Sequence, residues 1–214
     1  MNLQKKDFIE IEFTGKTKEG TVFDSNKKED LKNIPEANPN QAKPFIFSLG
    51  ENMFLDGVDN FLIGKPNSPA DYTVELSPEK AFGKREPKLI KLMPLTVFRK
   101  HKLNPIPGII FNFDGRMGKV LSVSGGRTQV DFNHPLAGKY VIYEVKFKRK
   151  IEDLNEKTKS LIEFFARQEI PFKIQDKKLI LDSTNQITKF LELFKDKFKE
   201  LLDLDLEIKE KPKD

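Results

Sequence analysis

Residues 130–138 read Val-Asp-Phe-Asn-His-Pro-Leu-Ala-Gly. The apolar part of the run ends at Phe132, and Asn133-His134-Pro135-Leu136-Ala137-Gly138 is made of turn residues. On its N-terminal side stand three short strand candidates, Ile109 to Phe113, Lys119 to Val123 and Arg127 to Phe132. On its C-terminal side Tyr143, Val145 and Phe147 alternate with Glu144, Lys146 and Lys148, the two-residue period of a half-buried strand.

Further out, Ile9, Ile11 and Phe13 alternate with Glu10 and Glu12, which predicts another such strand over 8–13. A turn is expected over 14–20 from Gly15 and Gly20, and a second strand over 21–24. Residues 25–44 are polar, hold Pro35, Pro39 and Pro44, and read as a long loop. Strand character resumes at 45–50. Val58, Phe61 and Leu62 then fall at helical spacing, with Gly64 as a stop. Tyr72, Val74 and Leu76 mark one more strand, and 77–88 is a turn region. From Ile151 the character changes. Leu154, Leu161, Ile162 and Phe165 suggest a helix, and 172–174 and 179–181 suggest short strands. Ser183 with Gln186 forms a capping box opening a helix over 184–202, and 204–208 is a last strand.

Composition narrows the chemistry. The 214 residues are 37% hydrophobic and 33% charged, with 19 Phe, 3 Tyr and no Trp. Aromatic rings bury large areas, so Phe is expected to supply much of the core and of any apolar pocket. The absence of Cys excludes disulfides, thiolate catalysis and zinc-thiolate sites. Met1 to Asp7 has no apolar run, and no stretch approaches the roughly 18 apolar residues of a membrane span, so a soluble, cytoplasmic protein is expected. The net charge of +5 is dispersed among many acids. Its densest basic runs, Arg99-Lys100-His101-Lys102 and 146–150, read equally well as solvated faces, which does not favour nucleic-acid binding. There is no Walker loop, no G-x-G-x-x-G and no G-x-S-x-G elbow. His101 and His134 lie apart, and His134 reads as a structural hydrogen bonder. An enzyme built from this sequence should need no nucleophile, metal or cofactor.

Four runs, in order, resemble FKBP-type peptidyl-prolyl cis/trans isomerases: 14–25, 44–58, 76–83 and 130–138. The last is the most specific and resembles the return strand of the SlyD-like branch, in which a second domain is inserted into the flap. The C-terminal part resembles that of the long archaeal members. The resemblance implies an α+β fold, a twisted antiparallel sheet around a short helix, with an inserted mainly-β domain and a C-terminal α/β domain. The domains would be 1–85 plus 130–150, 86–129, and 151–214. Pocket residues carried over are Phe13, Phe23 and Phe45 as walls, Asp24 as the polar rim, and Phe54 and Leu55 as backbone contacts. Val58 stands where relatives often have Trp, Phe82 where they often have Tyr, and Tyr143 faces inward on the last strand. The missing hydroxyls at Phe13 and Phe82 and the small Val58 imply a reduced rate and weakened macrolide binding.

The implied activity is Xaa-Pro isomerisation in unfolded or nascent polypeptides, with chaperone activity in the insert. The competing readings are a holdase without isomerase activity and a basic scaffold for nucleic acid. The apolar load of the insert, including Leu92, Met93, Ile106, Ile109, Ile110 and Met117, should leave part of it exposed. The Phe/Leu stripe of the C-terminal helix could pair with a second copy to make a homodimer.

Overall fold

The computed structural model describes residues 1–35, 37–183 and 185–210. In chain order the elements are β1 (Phe8–Thr17), β2 (Val22–Ser25), α1 (Lys28–Leu31), β3 (Phe45–Ser48), α2 (Asp56–Leu62) and β4 (Ala70–Leu76). Then follow β5 (Ile90–Pro94), α3 (Leu95–Lys100), β6 (Ile110–Phe113), β7 (Arg116–Ser124), β8 (Arg127–Asp131) and β9 (Val141–Lys150). The C-terminal elements are α4 (Leu154–Ala166), β10 (Phe172–Gln175), β11 (Lys178–Ser183), α5 (Asn185–Glu192), α6 (Lys195–Leu202) and β12 (Asp205–Glu210). The fold is α+β, with mostly antiparallel sheets. It divides into two compact units, Met1–Glu75 with Val141–Asp214, and Leu76–Tyr140.

In the first unit β1 is the organising strand. Ile9, Ile11 and Phe13 are buried, as their alternation with half-buried Glu10 and Glu12 requires, and Phe8 is buried too. One edge of β1 pairs along its length with β9. The other edge is shared: Phe8–Ile11 pairs with β3 and Thr14–Lys16 with β2. Between those two ladders the β1 backbone would have unpaired groups, and Asn26 fills the gap. Its Oδ1 accepts from the Phe13 N–H at 2.7 Å, and its Nδ2 donates to the carbonyls of Ile11 (3.0 Å) and Lys43 (3.1 Å). The stretch 25–44 is therefore not an unstructured loop. It also contains α1, whose Asp30 accepts hydrogen bonds from the Thr14 and Ser25 hydroxyls. The turn expected over 14–20 begins later, because β1 runs through Gly15 to Thr17.

The C-terminal elements belong to this unit. β11 pairs antiparallel with β10 and parallel with β12, the parallel step being bridged by α5 and α6. The single helix expected over 184–202 is broken. Phe194 N–H turns back to the Leu191 carbonyl, and the Phe194 ring stacks on Phe165 of α4 at 4.1 Å. The side chains of Ser183 and Gln186, expected to form a capping box, lie outside the described part of the structure.

The second unit is a four-stranded antiparallel sheet in the order β5-β8-β7-β6. Phe98 of α3 is fully buried against Phe111 and Phe113, at ring distances of 5.8 and 5.7 Å. Sequence reading found β6, β7 and β8 but not β5 or α3. The run 130–138 works as a staple here. Asn133 exchanges two hydrogen bonds with the Glu86 backbone, and Asp131 accepts from the Arg85 guanidinium at 2.6 Å.

Candidate active site

Five of the predicted aromatic residues meet in the first unit. The Phe13 ring lies 4.8 Å from Phe54, 6.2 Å from Phe45 and 6.0 Å from Tyr143. Phe54 is 5.5 Å from both Phe45 and Tyr143, and Phe23 closes the group at 5.9 Å from Tyr143. Each ring arrives by a definable route. Phe13 and Tyr143 sit on the paired strands β1 and β9, Phe23 on β2, and Phe45 on β3. Phe54 lies on the turn before α2. Gly15, opposite Tyr143 in the ladder, makes the arrangement sterically feasible: a Cβ there would stand 2.9 Å from the Tyr143 ring and 3.1 Å from the Phe23 ring.

Asp24 adds the polar edge. The Tyr143 hydroxyl donates to its Oδ2 at 3.2 Å. Burial raises the Asp24 pKa above the ordinary carboxylate value, and the bonds from Tyr143 and the Ser25 backbone only partly oppose this. Burial and the facing Asp24 carboxylate push the Tyr143 hydroxyl upward in turn, so it remains a donor.

Three of the five rings open on a cavity of about 760 Å³, which Phe23 and Tyr143 do not line. Phe13, Asp24, Phe45 and Phe54 line it, together with Ile46 and Pro44. Leu55, the N-cap residue of α2, and the fully buried Val58 are not among the lining residues. Phe82 is carried by the second unit, where its ring stacks on His134 at 4.7 Å. His134 accepts from the Leu136 N–H through Nδ1, in keeping with a structural part. Among the described residues no group of three His, Asp or Glu side chains is arranged to hold a metal, and no helix is long and apolar enough to cross a membrane.

Sequence reasoning missed three contributors. Gly15 and Asn26 support the ring cluster from below. The third is α4, whose Lys159, Glu163 and Phe164 line the same cavity together with its C-cap residue Arg167. Its start is set by Asp153, which accepts from the Glu156 N–H at 2.8 Å, and its buried face carries Thr158, Leu161 and Ile162. Asp153 followed by Glu156 was a legible start signal; nothing in the helix sequence said which surface its other face would meet. In the second unit Leu92, Ile106, Ile109, Ile110 and Met117 are exposed, at 39–59%.

Comparison with known proteins gives the following likenesses. Residues 1–98 match the family model described as FKBP-type peptidyl-prolyl cis-trans isomerase, and residues 91–136 match the model of the IF domain of FKBP26. A short-type peptidyl-prolyl cis-trans isomerase of Methanocaldococcus jannaschii is 30% identical over 156 residues, 72% of this chain and 96% of that protein. The FKBP-type 16 kDa peptidyl-prolyl cis-trans isomerase of Escherichia coli is 29% identical over 150 residues, 68% of this chain and 91% of that protein. The FKBP-type peptidyl-prolyl cis-trans isomerase SlyD of Aeromonas hydrophila is 24% identical over 69% of this chain and 64% of that protein.

Proposed function

The chain belongs to the FKBP-type peptidyl-prolyl cis/trans isomerases, and from that premise we propose that it turns Xaa-Pro bonds in the cavity above Phe13, Phe45 and Phe54, with Asp24 at its edge and Tyr143 behind Asp24. The observation that carries this assignment is the convergence of five rings from four strands and a turn, three of which, Phe13, Phe45 and Phe54, line one cavity together with the half-buried Asp24 carboxylate.

The chemistry asked of such a site is modest. Rotation about the prolyl amide must break its resonance, a barrier of roughly 18–20 kcal/mol. The planar amide is strongly dipolar and the twisted one less so. Apolar walls that exclude water therefore disfavour the planar state relative to the twisted one. Only such a difference between ground and transition state raises the rate. Asp24 supplies a fixed polar contact for the twisting amide, held in place by the Tyr143 hydroxyl. No covalent intermediate is needed. Leu55, Val58 and Phe82 join the assignment through family resemblance alone.

Our reading extends to the rest of the chain. The parts are an isomerase portion, 1–85 with 130–150, an insert, 86–129, and a C-terminal α/β portion, 151–214. The insert captures unfolded polypeptide through its exposed Ile106, Ile109, Ile110 and Met117. A second copy pairs through α5 and the break that follows it, where Phe190 and Leu193 are exposed. A cytoplasmic setting without nucleic-acid partners completes this reading.

A protease-coupled assay of the full chain on the tetrapeptide Ala-Leu-Pro-Phe tests it. Acceleration is expected, and Asp24→Ala should lower kcat/KM about tenfold, the loss of ~1.4 kcal/mol of transition-state contact, with Tm within a few degrees. An unaccelerated tetrapeptide together with suppressed aggregation of an unfolded client would instead establish the holdase reading.

A further inference from the structure

The cavity has a wall that the ring cluster does not explain. Its volume of about 760 Å³ exceeds what one prolyl ring fills and lies within the range of about 300–1,000 Å³ typical of sites for larger ligands. A bound polypeptide therefore meets α4 as well as the rings.

The cations along that wall are nearly all engaged. Lys43 pairs with Glu163, Lys159 with Glu169 at 3.3 Å, and Arg149 with both Glu10 and Glu156 at 2.7 and 2.6 Å. Arg167 differs. Among the described residues lining the cavity it is the one cation without a carboxylate partner. Its guanidinium lies 5.1 Å from the centre of the Phe164 ring. Arg167 is also the C-cap residue of α4, in a left-handed conformation with φ 56° that Gly or Asn more often takes. The helix thus ends on a guanidinium resting against an aromatic face, a pre-organised fork for a carboxylate.

We propose that Phe164 and Arg167 form a subsite for an acidic side chain of the substrate, some residues away from the proline, so that the enzyme selects prolyl bonds in acidic surroundings. This rests on the isomerase reading given above. The preference is local to Arg167, because the lining residues as a whole carry five acids against four cations. A field effect of the entire cavity would favour Lys over Glu; the Arg167 subsite favours Glu over Lys.

The test is a set of hexapeptides around Leu-Pro, with Glu, Ala or Lys placed in turn at each outer position, assayed with the full chain. At one or more positions Glu should raise kcat/KM over Ala by about two- to five-fold, the modest scale of an exposed ion pair. The advantage should shrink as salt is raised to about 1 M. Arg167→Asn, chosen to suit the left-handed cap, should bring the Glu-to-Ala ratio to one, and Arg167→Glu should reverse it. A ratio unchanged in both variants, or Lys preferred over Glu at every position, would overturn the subsite while leaving the isomerase intact. Failure to accelerate any of the peptides would overturn the isomerase reading itself, and the subsite with it.

Discussion

Replacing Asp59 by asparagine probes how the turn behind the cavity is held. Asp59 is only 2% exposed; its Oδ2 accepts from the Gly50 N–H at 3.0 Å, and its Oδ1 has no hydrogen-bond partner. Gly50 opens the turn that carries Phe54 into the ring cluster. Burial, reinforced by the charges of Asp56 and Glu51, lifts the Asp59 pKa from 3.8 to about 6 in spite of the Gly50 bond. In the window between those two values the folded protein binds a proton that the unfolded chain has already lost. The unfolding free energy therefore falls as pH rises through the window and stays at the lower level above it. A shift of about two pKa units corresponds to ~3 kcal/mol. That figure is a ceiling, since water reaching the carboxylate screens it. Asparagine keeps an acceptor for Gly50 and cannot ionise. Urea unfolding followed by circular dichroism, on both proteins from pH 3.5 to 7.5, isolates the effect, because other titrations cancel in the difference. The stability of Asp59→Asn relative to the parent should climb by up to ~3 kcal/mol across the series. A difference flat to within ~0.5 kcal/mol, or one that declines, would refute the claim that the fold forces a charge into this position.

Asn26→Ala should lower stability by about 2–4 kcal/mol, because it removes three hydrogen bonds and strands the buried Phe13 N–H between two ladders. Thermal unfolding should show a Tm roughly 5–15 °C lower, and a drop under about 2 °C would mean that water or a neighbour takes over the gap. Replacing 86–129 by a short turn should leave tetrapeptide isomerisation within a few-fold but slow catalysed, proline-limited refolding of a protein substrate by about tenfold, since captured chain raises local substrate concentration. Equal losses in both assays would assign the insert to the catalytic pocket instead.

What was legible in the sequence was whatever a short window could encode. The alternation of Ile9, Ile11 and Phe13 with Glu10 and Glu12 gave β1, and the spacing of Val58, Phe61 and Leu62 with Gly64 gave α2. The apolar run from Leu89 to Phe98 resisted because short apolar stretches fit both periods. It proved to be strand up to Pro94 and helix from Leu95, with Pro94 tolerated on the edge strand β5. The ring positions Phe13, Phe23, Phe45, Phe54 and Tyr143 came from family resemblance; singly, Phe13, Phe23 and Phe45 each read as core.

The residues that escaped share one property: their roles are set by chain that is distant in sequence. Gly15 read as a turn glycine, yet it sits within β1 with no positive φ, and what matters is the side chain it lacks beneath Tyr143, 128 positions away. Asn26 looked like any polar loop residue until two separate partners, β2 and β3, were seen to share one edge of β1 and leave a gap. Arg167 follows the helical spacing of Leu154, Leu161, Ile162 and Phe165 and belongs to no motif. Its significance depends on which surface α4 packs against, and that is decided by Thr158, Leu161 and Ile162 on the opposite face together with the partners of Lys43 and Arg149. Local pattern thus determines which element forms, whereas the chemistry of this cavity is written in tertiary packing: α4, which follows β9 and carries no motif of its own, supplies one wall of it.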